Sequence, residues 1–313
     1  MPIKVDKIIL APMEGVLDPL MRELICSINQ YDLCITEFIR IVDQLLPSHV
    51  FHRICPELKN NSQTSNNTPV RIQLLGQDPN WMAENAVRVI ELGSQGVDLN
   101  FGCPSKMVNK NRGGAILLKD PEQIFKIVST VKNAVGQSHC VSAKIRLGFD
   151  DTTMLDEIVD AIESAGANLL TIHARTKKDG YRPPAHWHFI KKIIDKYTIE
   201  IVANGEIWDK GSAQLCLKAS NAQNLMLGRG ALALPNLANV IRFNEPVMSW
   251  AELCILLRRY SVIELQGDKG YYFSSRLKQW LRYLKLHFKE ADNLFNNIKT
   301  LKDKDEILAF IDK

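Results

Sequence analysis

A cysteine stands just past an apolar run, inside the stretch Asn100-Phe101-Gly102-Cys103-Pro104-Ser105. A thiol at a strand end, in a turn that glycine and proline shape, presents a weak acid to whatever lies in front of it. The bland alternative is a small buried hydrophobe, as many free cysteines are. The neighbours argue for chemistry, because a purely structural cysteine needs neither Asn100 at the strand end nor the turn. Further along, Lys144-Ile145-Arg146-Leu147-Gly148 alternates two cations with apolar residues, so both cations share one side of an extended segment. Turned inward, they require an anionic partner. A flavin isoalloxazine supplies one, since its reduced form is anionic near N1 and O2 and an adjacent lysine favours that form.

Two triplets suit a phosphate. Asn204-Gly205-Glu206 and Gly228-Arg229-Gly230 combine glycines, which let backbone amides approach an oxyanion, with an arginine that adds a charge-assisted fork. Each is weak alone; in the seventh and eighth loops of a barrel the pair points to a mononucleotide phosphate. His173, with Ala174, Arg175 and Thr176, ends a sixth apolar run and is placed to touch the cofactor. Gln73 ends the third, with an amide that can donate to and accept from a flavin pyrimidine ring.

The elements that must position these groups are short apolar runs, most of them separated by helical stretches. Strands are expected at Ile8 to Ala11, Leu33 to Thr36, Val70 to Leu74, Gly96 to Leu99, Val141 to Ile145, Leu169 to Ile172, Glu200 to Ala203 and Leu225 to Leu227. Eight βα repeats predict an α/β fold, a closed (β/α)8 TIM barrel. The rival, a doubly wound open sheet, usually needs fewer strands and a Gly-rich turn after the first, where this chain has Pro12-Met13-Glu14-Gly15. Polar residues gather at the carboxyl ends of the runs, Glu37 among them, and in a TIM barrel those ends form the active-site face. The stretch from Asn60 to Thr68 reads as a polar, structureless surface loop. After Arg229 the texture turns helical, so residues 1–243 are expected to form the catalytic barrel and 244–313 a small C-terminal α-helical domain.

In that last segment Lys278, Arg282, Lys285 and Lys289 recur at helical spacing beside Leu277, Leu281, Leu284 and Phe288. The expectation is one helix that packs by its leucines and shows a basic stripe to a phosphate backbone. Seven cysteines without a Cys-x-x-Cys pair suggest neither a zinc site nor a redox dithiol, and no metal is expected. A net charge of +4 is compatible with a polyanionic partner without requiring one. No run approaches a membrane span, and the residues from Met1 to Asp6 lack the pattern of a secretory signal, so a cytoplasmic protein is expected.

Taken together, these motifs resemble the tRNA-dihydrouridine synthases over essentially the full chain. Ala11 to Asp18, Gln73 to Gly76, Asn100 to Lys106, Lys144 to Gly148, His173 to Thr176, Asn204 to Ile207 and Gly228 to Gly230 occur in that family's order. Cys34 to Arg40, Phe51 to Leu58 and Leu277 to Leu281 look like the bacterial subgroup that modifies uridine 16 of the D-loop. Two departures, Ala174 between the His and Arg and Phe101 before Gly102, remove no reacting group. The resemblance implies an FMN enzyme with NADPH as reductant and a barrel followed by a tRNA-binding helical domain; separately, a monomer with no obligate protein partner is expected. It implies that Pro12, Met13, Gln73, Lys144, His173, Asn204, Gly205, Glu206, Gly228 and Arg229 hold FMN. Cys103 would give a proton to uracil C5 while C6 receives hydride, which requires a thiol that stays protonated at neutral pH. Arg40, Asn100, Arg146, Arg276, Lys278 and Tyr283 would contact tRNA. An FMN reductase of free pyrimidines and a non-catalytic tRNA-binding protein are the alternatives; turnover on tRNA against free uridine, and flavin bleaching by NADPH, separate them.

Overall fold

The computed structural model describes residues 4–267 and 270–311. Met1 to Ile3, read above for a leader, and the last two residues of the 244–313 segment lie outside them. Eight strands, β1 (Lys7–Leu10), β2 (Leu33–Arg40), β3 (Val70–Leu75), β4 (Gly96–Asn100), β5 (Cys140–Arg146), β6 (Leu169–His173), β7 (Glu200–Asn204) and β8 (Asn224–Leu227), close into one barrel in sequence order. Every pairing is parallel, and β8 closes on β1. This is a (β/α)8 TIM barrel with C-terminal helices, as the run count predicts.

Parallel strands covered on both faces read as continuous apolar runs, and the alternation within them decides which side chains enter the barrel. Ile9, Ile35, Leu169, Val202 and Met226 form a small apolar cluster separate from the main core, a plug beneath the cup. The other parity, such as Ile8, Leu10, Ile72, Leu74, Val97 and Leu99, packs in the main core with the helices. Several helices begin as Asp-Pro predicts: Asp78 and Asp120 accept from amides at the starts of Pro79–Glu91 and Pro121–Val135.

Two expectations about the barrel change. β2 runs on to Arg40 instead of stopping at Thr36, with a register irregularity between Ile35 and Phe38. Thr36 drives it: its hydroxyl donates to the Glu37 carbonyl at 2.7 Å and accepts from the Gln73 amide at 3.2 Å. The 60–68 segment is not structureless. Ser62, Thr64 and Thr68 are buried, the Ser62 hydroxyl donates to Val70 O at 2.7 Å, and Gln63 bridges Pro69. Its polar side chains satisfy its own backbone, which composition alone reads as solvent exposure.

The C-terminal helices are Trp250–Gln266, Phe273–Leu284, Lys289–Ile298 and Lys304–Ile311. Leu277, Leu281, Leu284 and Phe288 are buried, as expected. Trp280 anchors the second helix to the barrel, donating from Nε1 to Leu232 O at 3.1 Å with its ring 5.0 Å from that of Tyr260. The basic stripe is corrected. The helix ends at Leu284, and Lys289 opens the next one. Lys278 donates to Leu301 O, Lys285 pairs with Asp292 at 3.0 Å, and Arg282 and Lys285 both lie over the Phe295 ring. No glycine or proline marks the break after Leu284, so the spacing ran on through a turn. Among the described residues no helix is long and apolar enough to cross a membrane.

Candidate active site

The carboxyl ends of the strands surround a cavity of about 580 Å³, the size class of a cofactor site. Cys103 lines it from the loop after β4, 8% exposed. Three contacts pin that residue's backbone. Asn100 Oδ1 accepts from the amides of Gly102 and Cys103, both at 2.9 Å, and the Cys103 carbonyl accepts from Ala115 N at 3.1 Å and Asn109 Nδ2 at 2.9 Å. Asn100, more than Gly102, makes the turn: a Cβ on Gly102 meets nothing closer than 3.5 Å. The glycine that matters is Gly114, at φ +67°, where a Cβ would stand 3.0 Å from both the Cβ and the carbonyl oxygen of Cys103.

Behind the turn lies a buried network that the motifs did not disclose. Asn100 Nδ2 donates to Gln73 Oε1 at 2.7 Å, Gln73 Nε2 donates to Asp98 Oδ2 at 2.7 Å, and the Ser142 hydroxyl donates to Asp98 Oδ1. Burial pushes the Asp98 carboxyl above its ordinary value, and the bonds from Gln73 and Ser142 oppose this. Asp98 fixes which way the Gln73 amide points, and so fixes Asn100 and the cysteine turn. The signal for it was the polar residue at the centre of an otherwise apolar strand.

Lys144 and Arg146 both face inward, as alternation predicts. Lys144 Nζ is 3.3 Å from Asn204 Oδ1, and among the described residues no ion pair engages it, Asp98 acting on it only from a distance. Burial, helped by Arg146, brings its pKa down to about 8. Arg146 is held by three carbonyls: Gly102 O at 2.9 Å, Thr176 O at 3.1 Å and Gly180 O at 2.9 Å. It therefore ties the cysteine loop to the loop after β6. His173 is kept neutral: burial first, then Arg146, Lys144, Arg175 and Arg229, hold its pKa well below the ordinary value. Gly205, at φ +113°, runs so close to the imidazole that a Cβ would lie 2.8 Å from Cδ2.

Glu206 joins the phosphate-type loops. Its carboxylate lies 2.8 Å from Arg175 Nη2 and 3.3 Å from Arg229 Nη2. The Arg229 guanidinium is 4.7 Å from the Tyr181 ring and 5.0 Å from Trp208. Sequence reasoning missed Tyr181 and Trp208, since a lone aromatic in a loop carries no pattern. Every residue read for the flavin lines the cavity: Pro12, Met13, Gln73, Lys144, His173, Asn204, Gly205, Glu206, Gly228 and Arg229. Of those read for RNA contact, Asn100, Arg146 and Tyr283 line it too. Arg40 is exposed at the end of β2 and does not. Arg276 pairs with Asp18 at 2.6 Å and with Glu264, and Lys278 is bonded to Leu301, so neither faces the cavity.

A model of the dihydrouridine synthase family matches residues 9–313. The chain belongs to the dihydrouridine synthase family. It is 53% identical over 306 residues to the tRNA-dihydrouridine(16) synthase of Escherichia coli K12, covering 97% of each chain. The enzyme of the same name from Yersinia pestis is 53% identical over 308 residues, 98% of this chain and 99% of that one. That of Vibrio parahaemolyticus is 51% identical over 308 residues, 98% and 96%. Dihydrouridine synthases are flavin-dependent oxidoreductases, and the cup suits a flavin on its own terms. Its Lys144 ammonium is engaged by no ion pair among the described residues, and the glycines of its 204–206 and 228–230 loops line it.

Proposed function

We propose that the protein reduces a uridine in the D-loop of tRNA, at position 16, to 5,6-dihydrouridine, with FMN bound in the cup and NADPH as reductant. The observation that carries the reading is a buried thiol on a pinned loop, lining the same cavity as Lys144 and the two glycine loops. A reduced flavin held there would supply the hydride that uracil C6 receives.

The chain's own residues do the rest. The Lys144 ammonium would offset negative charge on a bound flavin, and Gln73, its amide oriented by Asp98, would hydrogen-bond it. Backbone amides at 205–206 and 228–229, with the Arg229 side chain, would hold the phosphate. Burial raises the Cys103 pKa and Glu14 adds to this, while the Ser105 backbone amide, then Arg146 and Lys144, oppose it. The thiol is thus an acid at neutral pH, suited to give its proton to C5 rather than to attack as a thiolate. The reacting uracil must leave its stack to reach that sulfur. Arg40, Asn100, Arg146 and Tyr283 are assigned to tRNA contact. Arg276 and Lys278 hold the 244–313 helices in place, and those helices form the tRNA-docking domain. A monomer in the cytoplasm completes the reading.

The test is to incubate the purified protein with FMN, NADPH and tRNA made without modification, then map dihydrouridine. Product confined to position 16 and dependent on Cys103 is expected. Reduction of free uridine in preference to tRNA overturns the reading.

A further inference from the structure

The expected basic stripe on the C-terminal helices is largely occupied by internal partners, which leaves open what grips the RNA backbone around the cup. The loop after β4 answers this, on the assumption that tRNA is the substrate. From Leu99 to Lys119 the chain has no acidic residue and four cations, Lys106, Lys110, Arg112 and Lys119. Lys119 pairs with Asp150. The other three are exposed, and among the described residues no ion pair engages them. Lys106 and Lys110 stand one helical turn apart on the short helix Lys106–Lys110, so they share a face. Arg112 follows at φ +55°, a backbone conformation that side chains rarely adopt and that turns the chain back toward Gly113 and Gly114. Asn109 bonds the carbonyls of Cys103 and Ser105 at 2.9 and 2.7 Å, so the helix carrying the cations is tied directly to the reacting residue. Met107, between them, is 71% exposed.

Position around the barrel supplies the second argument. The helix Phe273–Leu284 docks over β1 and β8, through Gln279 to Gly15, Arg276 to Asp18 and Trp280 to Leu232. In a closed ring of eight strands β4 lies opposite β8. The cup therefore has two walls: the C-terminal helices, which contribute Tyr283, and the β4 loop, which contributes Cys103. A nucleotide everted between them brings its flanking backbone across the β4 wall.

We propose that Lys106, Lys110 and Arg112 form a phosphate-gripping edge that holds the RNA backbone flanking the everted uridine. These contacts are sequence-independent and appear in the salt dependence of binding. The test compares tRNA binding by the full-length holoprotein and its variants over about 50 to 300 mM salt. Lys110→Gln with Arg112→Gln should lower the slope of log K against log salt by about two, and Lys106→Gln by about one more. Affinity near 100 mM salt should drop by about tenfold per contact. Lys110→Arg with Arg112→Lys should restore the slope, which separates lost charge from a disturbed loop. Lys285→Gln, whose lysine already pairs with Asp292, should leave it unchanged. A wild-type protein that reduces tRNA with a steep slope, and loop variants that keep that slope, overturn this inference alone. A wild type that neither binds nor reduces tRNA overturns the proposed function and this inference together.

Discussion

Asn100→Ala isolates the mechanical part of the site. The asparagine side chain makes three hydrogen bonds, accepting from Gly102 N and Cys103 N and donating to Gln73 Oε1. At about 1 kcal/mol each, their loss costs roughly 3 kcal/mol. For a chain of this size that is on the order of 5 °C in the unfolding midpoint. The larger effect should fall on rate. Without the two amide contacts the Cys103 turn is held only from its carbonyl side, and a displacement of about 1 Å costs about 100-fold. The assay is single-turnover oxidation of the reduced flavin by unmodified tRNA, run on Asn100→Ala, Cys103→Ala and the double variant. Cys103→Ala should itself lose about 100-fold or more, the general-acid contribution. If Asn100 acts by placing the thiol, the double variant is little slower than Cys103→Ala. Full additivity, with Asn100→Ala slowing the reaction equally whether or not the thiol is present, would refute the positioning argument.

The remaining expectations concern charge and packing. Because Cys103 must be protonated and burial raises its pKa, the rate of the proton-transfer step should stay flat through neutral pH and fall only as pH rises past the ordinary thiol range; a rate that climbs from pH 6 to 9 would contradict it. Lys144 is lowered from 10.5 to about 8, so between those values the unfolded chain holds the proton that the folded one has lost, and this group adds stability as pH rises. Lys144→Met should therefore stabilise the flavin-free protein at pH 7 by up to roughly 3 kcal/mol, at about 1.4 kcal/mol per unit, read as a higher melting point, while weakening flavin binding in a titration. Gly114→Ala puts a methyl 3.0 Å from Cys103 at a positive φ and should cost about 1–3 kcal/mol in denaturant unfolding, together with activity. Arg276→Gln takes a cation from two buried carboxylates, Asp18 and Glu264, and should destabilise the protein by about 3 kcal/mol, with heightened proteolysis of the C-terminal helices.

The parts legible in the sequence were those with a period or a fixed local chemistry. Eight apolar runs gave the barrel, because a parallel strand covered on both sides has almost no polar residue until it reaches the cup. The alternation at Lys144 and Arg146 told that both point the same way, and the two glycine triplets were found by their steric meaning. Other features depend on partners distant in sequence. Nothing near Asp98 says that it is bonded to Gln73 and Ser142, and nothing near Lys285 says that Asp292 returns to meet it. The basic stripe failed for that reason: helical spacing reports which residues share a face, while the next helix decides whether that face is free. The 60–68 loop failed in the same direction, its polar residues serving one another and not water.

The electrostatics of the cup explain why one scaffold can hold both an anionic cofactor and a proton donor. Lys144, Arg146, Arg175 and Arg229 converge there, and Glu206 is shared by the last two. Those cations would strip the proton from a nearby thiol if they reached it unscreened, giving a thiolate useless as an acid. They are prevented in two ways. Arg146, the cation tied to the cysteine loop, is bonded to three carbonyl oxygens, whose dipoles offset its field. Cys103 itself is buried against Leu75 and Val108, with Glu14 raising its pKa further, so desolvation outweighs the cations. Exposing the thiol by Val108→Ala should then lower its pKa, so the pH at which the proton-transfer rate begins to fall should move down. A variant whose thiol is alkylated at lower pH while that fall in rate stays where it was would show that Cys103 is not the acid.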